Sequence, residues 1–457
     1  MNDLTSDAYE RLYRNVLFPL YESGIRRRGT CQHIDEYEQN QWKSADELAA
    51  IQWEKTVRLL RHCYENVPFY RERWKAAGIH WRDIRSFDDY ARLPVLTKDD
   101  IRGNYERLIA EPYRGRTMRK TTGGSTGQPL AFEYTRESYE RRTAVMMRGY
   151  AWAGAVPGRR TTFVWGGNIG KVALATKLKT ELHQLLMRRT VLNSFYLSAD
   201  NVSEYVRAID RSRPHVIVGF VNPLHLLARA MLADGQKHWR PRTVVTGAEQ
   251  LHPFQREDIE RAFGCRVFNT YGCREFMLIA SECPQHDGLH INVDHLIVEL
   301  IGPDARPARE GEIAITDLHN YGMPFIRYVN GDLAKQLGGT CACGRHLPRL
   351  ESVHGRVLDM IRTEDGRVVP GEFFPHMMKD VRGVDRFQVV QKHLRELQVR
   401  IVKTDSFDSA AMSYLEEEVR RVLGHGIDIR YEFVPEIPLT ASGKQRVTVS
   451  EIANSQP

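Results

Sequence analysis

Residues 241–275 read PRTVVTGAEQLHPFQREDIERAFGCRVFNTYGCRE. An apolar, β-branched run ends at Gly247. The stretch 252–264 follows with helical spacing, and a second β-rich run, GCRVFNTYG, comes after it. A strand returning in the same direction needs a long crossover, usually a helix, whereas an antiparallel return needs only a tight turn. This segment therefore reads as strand, helix and parallel strand. The same alternation extends outward. GRRTTFVWGG (158–167) and PHVIVGF (214–220) read as buried strands, and NVSEYVRAIDRS (201–212) as a helix. Residues 135–300 are predicted to form an α/β region built on a parallel sheet.

Around that region the pattern changes. Residues 1–105 read mainly as helices, with ADELAAIQWEKTVRLLRHCYENV (45–67) stopping before Pro68 and two short helices flanking the Leu93-Pro94-Val95 turn. HLIVELIG (295–302), GEIAITDL (311–318) and PFIRYVNGD (324–332) read as antiparallel strands of a β subdomain. After GRVLDMIRTEDGRVV, a strand over 386–402 and a helix over 409–423 form a small α+β unit. With 457 residues the chain exceeds one compact core, so two domains are expected, 1–355 and 356–457, the second mobile.

Composition is that of an ordinary globular protein, 42% hydrophobic and 27% charged. A net charge of +7 is a mild excess on this length. It favours an anionic nucleotide or coenzyme without arguing for nucleic acid, since no basic stripe is interleaved with aromatics. Arg26, Arg27 and Arg28 read as a solvated helix end. No run reaches the roughly 18 apolar residues of a transmembrane segment, and the N-terminus lacks a signal-peptide core. Seven cysteines suit a reducing compartment, so a cytoplasmic location is expected. Whether the chain works as a homodimer is left open.

The loop TTGGSTGQPL (121–130) gathers glycines and hydroxyls that suit an anion, most naturally phosphate. It is neither a Walker loop nor a dinucleotide fingerprint, and alone it is weak evidence, a surface turn being the plain alternative. Four further stretches change its weight: NTYGCRE (269–275), RYVNGDLA (327–334), GRVLDMI (355–361) and PLTASGKQRV (438–447). In this order the set resembles the acyl-adenylate-forming (ANL) superfamily. NVPFYRERW (66–74), LPVLTKDDIR (93–102), TGAEQLHPF (246–254) and CACGRHLPRL (341–350) look most like its phenylacetate–CoA ligase, coenzyme F390 synthetase and CapK branch. The resemblance runs from about residue 40 to 448.

That resemblance implies an ATP- and Mg²⁺-dependent enzyme that converts a carboxylic acid to acyl-AMP, then passes the acyl group to a thiol, CoA or a carrier-protein pantetheine. Transfer to an amine or hydroxyl, F390-type adenylyl transfer to a phenol-like acceptor, and a non-catalytic nucleotide-binding accessory in polysaccharide assembly are the rivals. The resemblance assigns Thr121, Thr122, Gly123, Gly124, Ser125, Thr126 and Gly127 to the ATP phosphates. It assigns Gly247, Ala248 and Glu249 to the adenine and acyl pocket, with Asn269, Tyr271 and Gly272 beside the nucleotide. Tyr271 is the aromatic that packs on adenine, Glu275 the acid that helps hold Mg²⁺, and Asp332 the acceptor for the ribose hydroxyls. Lys444 is the lysine that reaches the α-phosphate and the carboxylate. Arg356 and Asp359 lie in the hinge about which the small domain turns.

Some positions depart from the family pattern. Val329-Asn330 replaces the usual Arg-Thr, Leu358 stands where the hinge acid is common, and Arg274 replaces a threonine and could read an anionic substrate. Separately, Cys283, His290, Cys341 and Cys343 suit a closed tetrahedral zinc site, with His286 as the alternative fourth ligand; buried free cysteines beside a surface histidine are the plain alternative.

Overall fold

The computed structural model describes residues 7–122, 130–166, 174–197, 200–302, 304–354, 361–364, 368–369, 371, 373–378, 381–437 and 447–452. The helical N-terminal region is present. Ser44 and Glu47 form a reciprocal cap at the start of the helix Ala45–Asn66. Pro68 then opens the next helix, Pro68–Ala76, at its first turn, where a missing N–H is harmless. Leu59, Leu60, Phe69, Tyr70 and Trp74 of these helices enter the largest apolar core, together with Ile313, Ile315 and Tyr328 from the strands. The Arg26–Arg28 run follows a helical stretch ending at Ile25, and Arg28 pairs with Glu22 at 3.3 Å.

The predicted parallel crossovers are all formed. Strands Thr161–Trp165, Val216–Phe220, Thr243–Gly247 and Arg266–Cys273 lie side by side and parallel, and Arg189–Asn193 adds an outer strand beside the first. The helix Pro253–Phe263 connects two of them and ends in Gly264 at φ +65°. Leu296–Ile301, Glu310–Asp317 and Tyr328–Leu337 are antiparallel, as predicted, although 324–327 lie before the strand.

Two features differ from the sequence reading. The β subdomain is not a separate sheet. Met277–Glu282 pairs antiparallel with Arg266–Cys273, so parallel and antiparallel parts join in one eleven-stranded sheet. The stretch 386–402 is a hairpin rather than one strand: Val384–His393 pairs with Glu396–Lys403 through a tight turn. With Asp428–Phe433 and Thr448–Ser450 these form a four-stranded sheet, covered by the helix Ser409–Leu423. Phe373 of this smaller unit meets Phe195 at a ring separation of 5.9 Å.

Candidate active site and metal cluster

A cleft of about 660 Å³ opens where the parallel strands end and the antiparallel ones begin. Ligands of open α/β sheets bind in that place, beyond the carboxyl ends of the parallel strands. Thr122, Gly247, Ala248, Glu249, Asn269, Tyr271, Gly272, Glu275 and Asp332 all line it. Residues assigned from motifs more than two hundred positions apart thus share one wall. Gly123–Gly127, Arg356, Asp359 and Lys444 lie outside the described residues.

The strands flanking the glycine- and hydroxyl-rich stretch are paired at its base. Thr121 pairs with Ala131, the Thr122 N–H donates to the Leu130 carbonyl at 2.9 Å, and the Leu130 N–H donates to the Thr122 hydroxyl at 3.0 Å. At the end of Thr243–Gly247 the chain turns sharply, with Ala248 at φ +68°, a strained geometry for a residue with a Cβ. Both carboxylate oxygens of Glu249 accept from Asn222, from its N–H and from its side-chain amide, each at 2.7 Å. Glu249 therefore borders the cleft while capping the helix Val221–Asp234. Gly272 is required by contact: a Cβ there would lie 2.1 Å from the Met277 carbonyl oxygen.

Tyr271, Asn330 and Asp332 form one network. The Tyr271 hydroxyl donates to Asp332 Oδ2 at 2.9 Å, and the Asn330 amide donates to the Tyr271 oxygen at 2.7 Å and to Asp332 Oδ2 at 2.8 Å. The Asp332 N–H closes the ring onto Asn330 Oδ1 at 3.0 Å. Burial, reinforced by the Asp332 charge, pushes the Tyr271 phenol well above its ordinary pKa, so it stays a neutral donor. The departure at position 330 thus introduces an amide that orients both the ring and the carboxylate. Glu275 is nearly buried, with Oε1 held by the Tyr328 hydroxyl at 3.0 Å. Tyr328, Asn330 and Lys98 are site residues that motif reading did not assign. The only advance signal was that all three lie in quoted motifs. Arg274 does line the cleft, and its charge lowers the pKa of neighbouring Lys120 behind the larger effect of burial.

The cysteine set converges a short way along the same sheet. Donor atoms of Cys283, His290, Cys341 and Cys343 all lie within 4.8 Å of one another. The Cys283 and Cys341 sulfurs are 3.7 Å apart, and Cys343 Sγ is 3.4 Å from His290 Nε2. His290 Nδ1 faces the Leu347 carbonyl at 3.1 Å, which fixes the ring and leaves Nε2 to the sulfurs. His286 is elsewhere: its Nδ1 pairs with Glu282 at 3.1 Å and its ring packs on Phe268. The donor chemistry and spacing fit a tetrahedral zinc ion.

Comparison with known proteins agrees with this architecture. Over 91% of the chain and 92% of the partner, the fold matches 2-hydroxyisobutyryl-CoA ligase in complex with 2-HIB-AMP and CoA, with a TM-score of 0.62 at 21% identity. That defines the class as the adenylate-forming fold. Phenylacetate-coenzyme A ligase of Escherichia coli (strain K12) is 28% identical over 379 residues, 79% of this chain and 84% of that protein. Protein CapK of Staphylococcus aureus is 22% identical over 452 residues, 96% and 97% of the two chains. Residues 361–451 match the CapK C-terminal domain family. Along most of its length the chain is thus similar to phenylacetate–CoA ligases and to CapK. Among the described residues no helix is long and apolar enough to cross a membrane.

Proposed function

We propose that this chain is an AMP-forming acid–thiol ligase. A carboxylate oxygen of the substrate attacks the α-phosphorus of ATP and expels pyrophosphate. A thiol, CoA or a carrier-protein pantetheine, then attacks the acyl carbonyl and AMP leaves. The observation that carries the reading is the Tyr271–Asn330–Asp332 network, set beside buried Glu275 and the closed base of the 121–130 hairpin in one cleft. Such a network suits a ribose: Asp332 offers an acceptor whose orientation is set before the nucleotide arrives. Tyr271, with its hydroxyl tied down, presents a fixed ring for adenine.

Glu275 would hold Mg²⁺ together with phosphate oxygens, the usual way this ion is bound by one carboxylate and substrate; the ion, when bound, offsets phosphate charge. Thr121–Gly127 would donate N–H and hydroxyl groups to the outer phosphates, and Lys444 would stabilise charge at the α-phosphate. The domain boundary is placed at 355/356, with Arg356 and Asp359 at the turning point. The fold and the 28% identical phenylacetate-coenzyme A ligase support the same reading.

The test is pyrophosphate release over a panel of carboxylic acids, with and without CoA. Acid-dependent release followed by a thioester product is expected. Release that never yields a thioester, with CoA or with a carrier protein, would replace the second step by amide, ester or adenylyl transfer. No release with any acid would leave a nucleotide-binding accessory protein.

A further inference from the structure

Residues 8–25 form one continuous helix whose turns widen to the π form over Tyr13–Leu17 and Leu20–Ile25. One face of it serves the fold. Tyr9, Tyr13 and Leu17, four residues apart, pack with Met187, and the ring of Tyr21, the next in that row, meets His183 at 5.5 Å. The Tyr9 hydroxyl donates to the Leu186 carbonyl at 2.6 Å, so this helix adjoins the end of the helix Leu174–Leu186. The neighbouring row takes no part in that packing. Leu12, Val16, Leu20 and Ile25, four or five residues apart, face water. Leu182, Leu185 and Leu186 of the second helix do the same, and the seven side chains are between 47% and 72% exposed. Single exposed leucines are normal on a protein surface, but rows of them on two adjoining helices mark a contact face.

The charge around this face is of one sign. Arg11, Arg14, Arg26 and Arg27 are exposed and form no ion pair among the described residues. The acids of the same segment are buried and already paired, Glu10 with Arg159 at 2.8 Å and Glu22 with Arg28 at 3.3 Å. Arg136 donates to the Arg26 and Arg27 carbonyls, which fixes the backbone there. The Arg26 charge reaches His183, so the basic end of the first helix borders the second. That second helix contains Lys177, Lys179 and Glu181, a further net positive charge. A second copy seated isologously on this face would set these arginines against their own kind. An anionic lipid surface complements them: the apolar rows enter the acyl boundary while the guanidiniums meet phosphates at its edge.

We propose that the helices 8–25 and Leu174–Leu186 form a membrane-contact face that binds the surface of an anionic phospholipid bilayer, with the two aliphatic rows at the acyl boundary and the four arginines on the lipid phosphates. The contact lies away from the cleft and does not depend on the reaction proposed above. Binding of this kind draws on buried apolar area and on charge together, so removing either contribution weakens it.

The test is flotation of the full-length protein with vesicles of equal parts phosphatidylglycerol and phosphatidylcholine, beside vesicles of phosphatidylcholine alone. Flotation with the anionic vesicles, weakening as salt is raised, is expected. Arg11→Gln combined with Arg14→Gln should weaken binding by about 25-fold, at about fivefold per arginine. Leu20→Ser combined with Leu185→Ser should weaken it by at least about tenfold. Leu394→Ser, at an exposed leucine in the hairpin turn of the smaller unit, should leave it unchanged. Each variant alters exposed side chains, and circular dichroism checks its folding. No flotation with anionic vesicles, equal flotation with neutral ones, or binding that both double variants leave intact would overturn the proposal. So would a dimer, seen by analytical ultracentrifugation in protein that ignores vesicles, that Leu20→Ser with Leu185→Ser dissociates; the face would then belong to a second copy.

Discussion

Replacing Cys341 with serine removes one donor from the Cys283, His290, Cys341, Cys343 set, and the geometry says what should follow. A zinc–sulfur bond of about 2.3 Å and a zinc–nitrogen bond of about 2.0 Å, at tetrahedral angles, place two sulfurs about 3.8 Å apart and sulfur about 3.5 Å from nitrogen. The structure has 3.7 Å between Cys283 and Cys341 and 3.4 Å between Cys343 and His290. A disulfide would need about 2.05 Å, so the thiols are spaced for a shared ion rather than for each other. The cluster packs with Leu48, Trp152 and Leu347, tying the antiparallel strands to the N-terminal helices. Zinc at a thousandfold over its dissociation constant would contribute about 4 kcal/mol. At about 2 °C per kcal/mol for a large chain, chelation should lower Tm by about 8 °C. Cys341→Ser should lose the metal, melt near the chelated wild type, and respond no further to chelator. The assays are elemental analysis of protein purified without a metal-binding tag, X-ray absorption for a shell of three sulfurs and one nitrogen, and thermal melting. A zinc content near zero in folded protein, or a Tm that chelation leaves unmoved, would refute the reasoning.

Further outcomes follow from the site and the core. Glu275→Gln and Asp332→Ala should each cut acyl-AMP formation by at least about a hundredfold, measured by pyrophosphate exchange with folding checked by circular dichroism; near-normal exchange would remove that residue from the site. Lys444→Ala should lose about 10²–10³ in adenylation yet transfer the acyl group from supplied acyl-AMP at close to the normal rate; an equal loss in both half-reactions would mean that Lys444 acts through general folding or that the enzyme does not alternate between two poses. Burial drives the pKa of His295 to about 4, with its ring against His319 and its Nδ1 3.0 Å from the Tyr37 hydroxyl. The unfolded chain therefore takes up this proton first, near pH 6.5, and stability should fall as pH drops from about 6.5 to about 4, by about 3 kcal/mol in all. Urea unfolding midpoints that stay flat between pH 6.5 and 5 would contradict it.

Local information settled much of this protein. The parallel crossovers were legible because strand and helix periodicities are short-range signals, as in PRTVVTGAE followed by the helix Pro253–Phe263. The same holds for the helix Ser409–Leu423. The order of motifs along the chain identified the residues that line the cleft. The hairpin at 393–396 escaped because its turn, His-Leu-Arg-Glu, holds no glycine, proline or asparagine. The joining of the two sheet halves escaped because it depends on Met277–Glu282 pairing across a tight turn that only Gly272 permits. Choosing His290 over His286 needed a register: His290 stands opposite Arg349, beside the cysteine loop, while His286 turns toward Glu282. Asn330 meets Tyr271 across 59 positions. Residue types and local periods are written along the chain, but partners, orientations and unpaired groups exist only once distant segments have packed.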